Sequence, residues 1–263
     1  MSAASITFSH AICREVPDTA VDGLRAVDIG APDLDLMRAH HADYVAALRS
    51  TGAEVEVLPA LPDFPDSFFV EDAALCLPQG AIAMRPGAPS RLGEAAAMAP
   101  ELARLYGEVR AIQGPGHIEG GDILVTEREI MVGRSARTDS AGVAELTNLV
   151  ADWGWSVKEL QTPPEILHFK TDCSLMAPET ILSSERLAAT GCFEGYNVIQ
   201  TAPGEEAAAN AIRFNELVLL PAGFPRTAEA LDRAGFSVRE IGNTEAAKLD
   251  GGMSCLSLRF TPT

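Results

Sequence analysis

One short strand phrase, a small or polar residue followed by Val-x-x-apolar, recurs along this chain and constrains its fold more than any other feature. It reads Glu54-Val55-Glu56-Val57-Leu58, Glu108-Val109-Arg110-Ala111-Ile112, Ser156-Val157-Lys158-Glu159-Leu160, Asn197-Val198-Ile199-Gln200 and Ser237-Val238-Arg239-Glu240-Ile241. The copies are spaced by roughly 40 to 55 residues, the range of supersecondary repeats. A polar loop follows each copy, and usually a hairpin follows the loop. The hairpins read Phe68–Leu77 with Ala81–Arg85, Asp122–Thr126 with Ile130–Gly133, Cys173–Met176 with Thr180–Ser183, and Ala211–Phe214 with Leu217–Pro221. A helix then leads into the next copy. Modules of this size cannot bury a core alone, so they imply a closed ring or propeller of ββαβ units. The last module has a single hairpin strand, ending at Phe260. The N-terminal strand, Ser5 to Arg14, is expected to complete it and close the ring.

The helices carry their own punctuation. From Asp33 to Ser50 the residues Leu34, Met37, Val45 and Leu48 share a face, and Gly52 marks the stop. Ser140 is expected to cap a helix with a Val143, Leu146, Val150 and Trp153 stripe that ends at Gly154. A helix from Ser90 to Tyr106 contains Pro100 and should break there. Thr227 should cap a short helix through Leu231 to Ala234. His40 and His41 are adjacent, point to different faces, and read as surface residues rather than a shared metal site.

Composition narrows the function classes. At 263 residues without a linker, low-complexity tract or charge block, the chain reads as one domain spanning residues 1–263. A formal charge of −17 argues against nucleic acid or an anionic membrane as partner, and suits a cationic small molecule. Met1-Ser2-Ala3-Ala4-Ser5 lacks the basic and apolar regions of a signal peptide, and no apolar run is long enough to span a bilayer. The five cysteines, Cys13, Cys76, Cys173, Cys192 and Cys255, are odd in number and lack C-x-x-C spacing. They read as reduced thiols of a cytoplasmic protein. Cys13 and Cys76 sit in apolar runs and Cys192 in a Gly-rich turn, so none of these three is a good candidate for chemistry.

Cys255 follows Asp250-Gly251-Gly252-Met253-Ser254, where two glycines permit a tight turn, and opens an alternating run through Leu256, Leu258 and Phe260. The polar residues of the other modules fall at the equivalent place, the loop entering the hairpin. They are Asp66, Glu71 and Asp72, then Glu119, then His168. Equivalent positions of a ring converge on its axis, so these groups should face one central pocket. The apolar run Phe68-Phe69-Val70 should bury the adjoining carboxylates, and buried carboxylates require partners. A thiol, an imidazole and a carboxylate cluster suit attack on the carbon of a planar cation such as a guanidinium, with the histidine handling protons. Arg91 and Arg137 could take a carboxylate at the far end of such a substrate. His117 and Glu119 stand at i,i+2 without a second ligand pair, so no metal is expected.

Phe68-Phe69-Val70-Glu71-Asp72, Arg85-Pro86-Gly87-Ala88-Pro89-Ser90-Arg91, Glu119-Gly120-Gly121-Asp122, His168-Phe169-Lys170 and Asp250-Gly251-Gly252-Met253-Ser254-Cys255 together resemble the dimethylarginine dimethylaminohydrolases. These belong to the guanidino-group-modifying, or pentein, superfamily. The resemblance runs in order from about Ser9 to Phe260. It implies an α/β fold, the five-bladed α/β propeller of ββαβ modules with pseudo-fivefold symmetry. It further implies Cys255 as nucleophile, His168 as general acid/base and Glu119 as its orienting carboxylate. Asp72 would grip the guanidinium with Glu71 and Asp66 beside it, and Arg91 and Arg137 would hold the amino-acid carboxylate. Backbone groups of Leu24 and Leu249 would complete the pocket, and no cofactor is needed. The activity implied is hydrolysis of Nω-methylated L-arginine to L-citrulline. The alternatives are an arginine deiminase or dihydrolase, and a non-catalytic binder of cationic amino acids. Lys170 stands where the deiminases of the superfamily carry an Asp that grips the guanidinium, which favours the methylated substrate.

Overall fold

Each recurring strand forms the edge of a three-stranded sheet, and residues 4–262, which the computed structural model describes, contain five such sheets. β1 (His10–Arg14), α1 (Leu34–Arg49) and β2 (Glu54–Leu58) come first. The second unit is β3 (Ala74–Leu77), β4 (Gly80–Ala83), α2 (Leu92–Tyr106) and β5 (Val109–Ala111). The third is β6 (Ile123–Val125), β7 (Ile130–Arg134), α3 (Ser140–Val150) and β8 (Val157–Gln161). The fourth is β9 (Cys173–Ala177), β10 (Thr180–Ser183), α4 (Glu185–Ala188) and β11 (Asn197–Gln200). The fifth is β12 (Ile212–Phe214), β13 (Leu217–Pro221), α5 (Pro225–Arg233) and β14 (Ser237–Ile241). A short α6 (Thr244–Ala247) then leads to β15 (Leu258–Phe260).

In every unit the middle strand pairs antiparallel with its hairpin mate and parallel with the strand reached through the helix. Only the first unit draws its strands from both ends of the sequence. β1 lies between β15 and β2, with His10 opposite Phe260 on one side and Glu54 on the other. The expected ring closure is therefore present, through a strand that starts at His10 rather than Ser5. Met1–Ala3 of the stretch read for a leader lie outside the described residues. The core is divided like the sheets, into apolar clusters where a helix and neighbouring blades meet. Tyr44 and Leu48 on α1 anchor one cluster, Met98 and Leu102 on α2 another, and Leu146 on α3 a third. No described helix is long and apolar enough to cross a membrane.

Several local expectations change. α2 runs unbroken through Pro100. Its ring removes one hydrogen bond, but Pro100 and Ala96 lie on the exposed side, where water can serve the freed carbonyl, while Met98 and Leu102 pin the helix to the core. Asp139, not Ser140, caps α3, accepting from Gly142 N at 2.8 Å. α5 begins at Pro225, and Thr227 lies inside it, its hydroxyl accepting from Ala202 N. His41 is buried, because 37, 41, 44, 45 and 48 form the stripe that α1 presents to the core. Burial lowers its imidazole to about 4. Phe68–Ala73 is not strand, and Val70–Ala73 forms a single 3-10 turn.

That turn has counterparts. Gly120–Asp122, Phe169–Thr171, Glu206–Ala209 and Ser254–Leu256 are likewise 3-10 turns, each shortly before the first strand of a blade's hairpin. These turns pack in succession from Ser254–Leu256 through Val70–Ala73, Gly120–Asp122 and Phe169–Thr171 to Glu206–Ala209. They form an inner ring around the axis.

Candidate active site

The turns carry the chemically capable residues because a 3-10 turn at a strand entrance fixes the backbone while leaving side chains free to aim at the axis. His168 immediately precedes the turn Phe169–Thr171, and its backbone N–H donates to Thr171 Oγ1 at 3.2 Å. The His168 ring then reaches Glu119, with Nε2 and Oε2 separated by 2.6 Å. Glu119 is fully buried, and its other oxygen accepts from the N–H groups of Gly87 and Ala88 at 2.9 and 3.2 Å. Arg137 approaches the same oxygen at 3.4 Å. Burial works against charge on both partners, but the ion pair prevails. The hydrogen bond to His168, the His168 charge and the two arginines hold the Glu119 carboxyl below its usual range. Asp72, Asp122 and Glu119 raise His168 to about 9, so the ring carries its proton at neutral pH.

Asp72 accepts from Gly121 N at 2.8 Å and from Arg91 Nη1 at 2.5 Å. A Cβ at Gly121 would lie 2.8 Å from the Asp72 carboxylate and 2.9 Å from the His168 ring, so glycine permits these groups to sit side by side. Arg91 is buried and also grips Glu94 with Nε and Nη2, while Nη2 donates to Phe69 O. Asp66 accepts from Leu24 N at 3.0 Å, and burial raises its carboxyl above the usual range.

Cys255 lies in the turn Ser254–Leu256, not at the opening of a strand as expected. Neither preceding glycine has a left-handed backbone; Asp250 does, with φ of 59°. Gly251 and Gly252 instead allow close packing, because a Cβ on either would strike Phe69 or Asn210. Burial, then the charges of Glu71 and Asp72, push the Cys255 thiol up to about 11. The N–H of Gly252, 3.4 Å from Sγ, acts in the opposite direction.

Leu24, Asp66, Asp72, Arg91, Arg137, His168, Leu249 and Cys255 all line one cavity of about 150 Å³. Glu119 stands directly behind His168. Glu71 is the exception. Its Oε1 accepts from Lys170 Nζ at 2.5 Å and Arg259 Nη2 at 2.7 Å, and it faces a second cavity at the axis rather than the one lined by Cys255. Lys170 faces the same way, so it is not the pocket-facing counterpart of a deiminase carboxylate. Lys170→Asp is therefore expected to destabilise the fold by about 1–3 kcal/mol, by setting a second carboxylate against Glu71. Denaturant titration measures this, and an unchanged midpoint would mean that the ion pair contributes nothing.

His117 does not join Glu119. Its Nδ1 faces Arg85 Nη1 at 2.7 Å. Among the described residues, Asp72, Glu119 and His168 do bring ligand-type atoms within 4.8 Å of one another. These groups are already engaged, His168 with Glu119 and Asp72 with Arg91.

Two partners escaped the sequence reading. Glu94 holds Arg91 from the first turn of α2, and the i,i+3 spacing of an acid after an arginine is its only signal. Asn210 follows the turn Glu206–Ala209 and reaches Cys255. It was findable as the fifth member of a set already populated by the other four blades.

No protein-family model matches the chain. An N(G),N(G)-dimethylarginine dimethylaminohydrolase of Pseudomonas aeruginosa is 37% identical over 254 residues, covering 96% of this chain and 100% of that protein. A solved structure of the Pseudomonas aeruginosa enzyme, a cysteine-to-serine mutant complexed with citrulline, matches with a TM-score of 0.94. Its identity is 36%, over 97% of this chain and 100% of that one. A dimethylarginine dimethylaminohydrolase mutant, histidine replaced by glycine, in an adduct with S-methyl-L-thiocitrulline, matches with a TM-score of 0.93. Here 96% of this chain and 100% of that one align at 37% identity. With the five sheets superposing and the sequence aligned almost end to end, this chain belongs to the dimethylarginine dimethylaminohydrolase family.

Proposed function

We propose that this protein hydrolyses Nω-methylated L-arginine to L-citrulline, releasing methylamine or dimethylamine. The observation that carries the reading is the one cavity bordered by a thiol, a histidine backed by a buried carboxylate, and the Asp72 carboxylate. Asp72, itself held by Arg91, grips the guanidinium with Asp66 beside it, and Arg137 takes the substrate carboxylate. The backbone groups of Leu24 and Leu249 complete the pocket. The preference for a methylated guanidinium rests on family kinship, since Lys170 faces away.

The charges set the order of events. With two carboxylates near it and the thiol raised to about 11, Cys255 is protonated in the free protein at neutral pH. A bound guanidinium offsets those carboxylates, and the thiol then releases its proton to solvent as the thiolate. Sulfur adds to the guanidinium carbon, His168 gives its proton to the departing amine, and the C–N bond breaks. A covalent thiouronium remains on Cys255. His168 then accepts a proton from water as the water oxygen attacks the same carbon. The C–S bond breaks, the remaining hydroxyl proton passes to the departing sulfur, citrulline leaves and the thiol is restored. Glu119 keeps the imidazolium oriented through both half-reactions.

We read residues 1–263 as one catalytic domain, since β1 and β15 tie the two ends into one sheet. Five free cysteines suit a reducing cytoplasm. Incubation with asymmetric dimethylarginine should yield citrulline and dimethylamine in equal amounts, and faster than arginine yields citrulline and ammonia. Equal or better turnover of arginine would overturn the substrate assignment. Alkylation of free Cys255 by iodoacetamide should be slow at pH 7 and climb towards pH 11, whereas turnover should decline above about 9 as His168 loses its proton.

A further inference from the structure

We propose that Asn210 is a positioning residue for Cys255, clamping the turn that carries the thiol and directing an amide N–H at its sulfur. The inference rests on reading Cys255 as the nucleophile, and it adds the blade that the catalytic assignment leaves empty.

Asn210 is buried between the turn Glu206–Ala209 and β12. Its backbone carbonyl accepts from Met253 N at 3.2 Å and its side-chain oxygen from Ser254 N at 2.9 Å. Two successive N–H groups before the nucleophile are thus held by one residue from a neighbouring blade. The second contact also settles the amide orientation. A backbone N–H can only donate, so the oxygen must face Ser254 and the NH₂ must face the other way. That places Nδ2 3.9 Å from Cys255 Sγ, within reach of a sulfur acceptor. Gly252 has no side chain to intervene, since a Cβ there would lie 2.1 Å from the Asn210 amide carbon.

The donor is useful because of its surroundings. Glu71 and Asp72, on the turn Val70–Ala73, oppose a negative sulfur, while His168 and Arg91 on the cavity wall are already paired with carboxylates. Asn210 Nδ2 and Gly252 N approach the sulfur without being neutralised by an acid. A thiolate gains more from such donors than a thiol does.

Asn210→Asp is nearly isosteric and keeps an acceptor for Ser254 N, but it replaces the donor at sulfur with a carboxylate oxygen. Asn210→Ala removes both contacts. The pH profile of Cys255 alkylation by iodoacetamide, followed by mass spectrometry, reads the sulfur directly and requires no substrate. For Asn210→Asp we expect the profile to move to higher pH by about one unit. kcat should fall about tenfold to a hundredfold with KM within about threefold of the parent. Asn210→Ala should show a smaller shift of the profile and a lower melting temperature. An Asn210→Asp alkylation profile that superposes on the parent's would overturn the proposal, whatever happens to activity. If methylarginine proves not to be a substrate, the function falls but the alkylation comparison still decides the role of Asn210. If Asn210→Asp does not fold, an alkylation profile of Asn210→Ala that matches the parent's would overturn the donor role.

Discussion

Replacement of Cys255 by serine is expected to lower turnover of methylated arginine by on the order of 10⁴-fold or more, while citrulline still binds. The hydroxyl fits the turn Ser254–Leu256 and can accept from Gly252 N as the sulfur does. It lacks the thiol's nucleophilicity, and the neighbouring carboxylates make its deprotonation harder still. Citrulline formation checks the first part and titration calorimetry with citrulline the second. Turnover within tenfold of the parent would remove the covalent step from the mechanism.

The largest structural effect is expected at Arg91. Its guanidinium lies between Asp72 and Glu94, at 2.5 and 2.7 Å, with all three side chains buried. Arg91→Met leaves two buried carboxylates against each other, a change that costs about 3–5 kcal/mol. Chemical denaturation should show that loss, and Arg91→Met with Glu94→Met should recover part of it by removing one stranded charge. A single variant as stable as the parent would mean that Asp72 and Glu94 find other partners. Loss of activity in Arg91→Met therefore cannot be assigned to substrate binding unless its stability is measured alongside.

How far the chain announces this arrangement depends on the kind of information each residue carries. The five edge strands were legible because alternation and spacing are local properties, and the β1–β15 pairing followed from an unpaired strand at each end. The convergence of Asp66, Asp72, Glu119, His168 and Cys255 was legible by module equivalence, which turns sequence offset into spatial proximity. Direction was harder. Glu71 and Asp72 are neighbours in a 3-10 turn, where successive side chains diverge by about 120°, so one faces the Cys255 cavity and the other the opposite side of the axis. Nothing in Val-Glu-Asp-Ala states which is which. Lys170 shows the same limit, since its sequence position does not state that its side chain turns to Glu71. His41 was readable in principle, because a residue four after Met37 falls on the buried stripe whatever its polarity. Asn210 was passed over because an uncharged amide after three alanines carries no electrostatic signal of its own.

The blade assembled from both ends of the sequence bears on how the protein is made. A ribosome delivers β1 first, and β1 can pair with β2 soon afterwards, but its other edge waits for β15. Each later blade draws its strands from one contiguous stretch and can form as it emerges. Contacts between distant positions are the slowest to form, so the seam should be among the last to close. Cys255 arrives only three residues ahead of β15, in the segment that closes it. A chain translated only through the fourth blade therefore holds His168 and the site carboxylates but not Cys255. The sulfur of Cys255 thus enters its pocket as the seam zips, after the residues that face it are already in place.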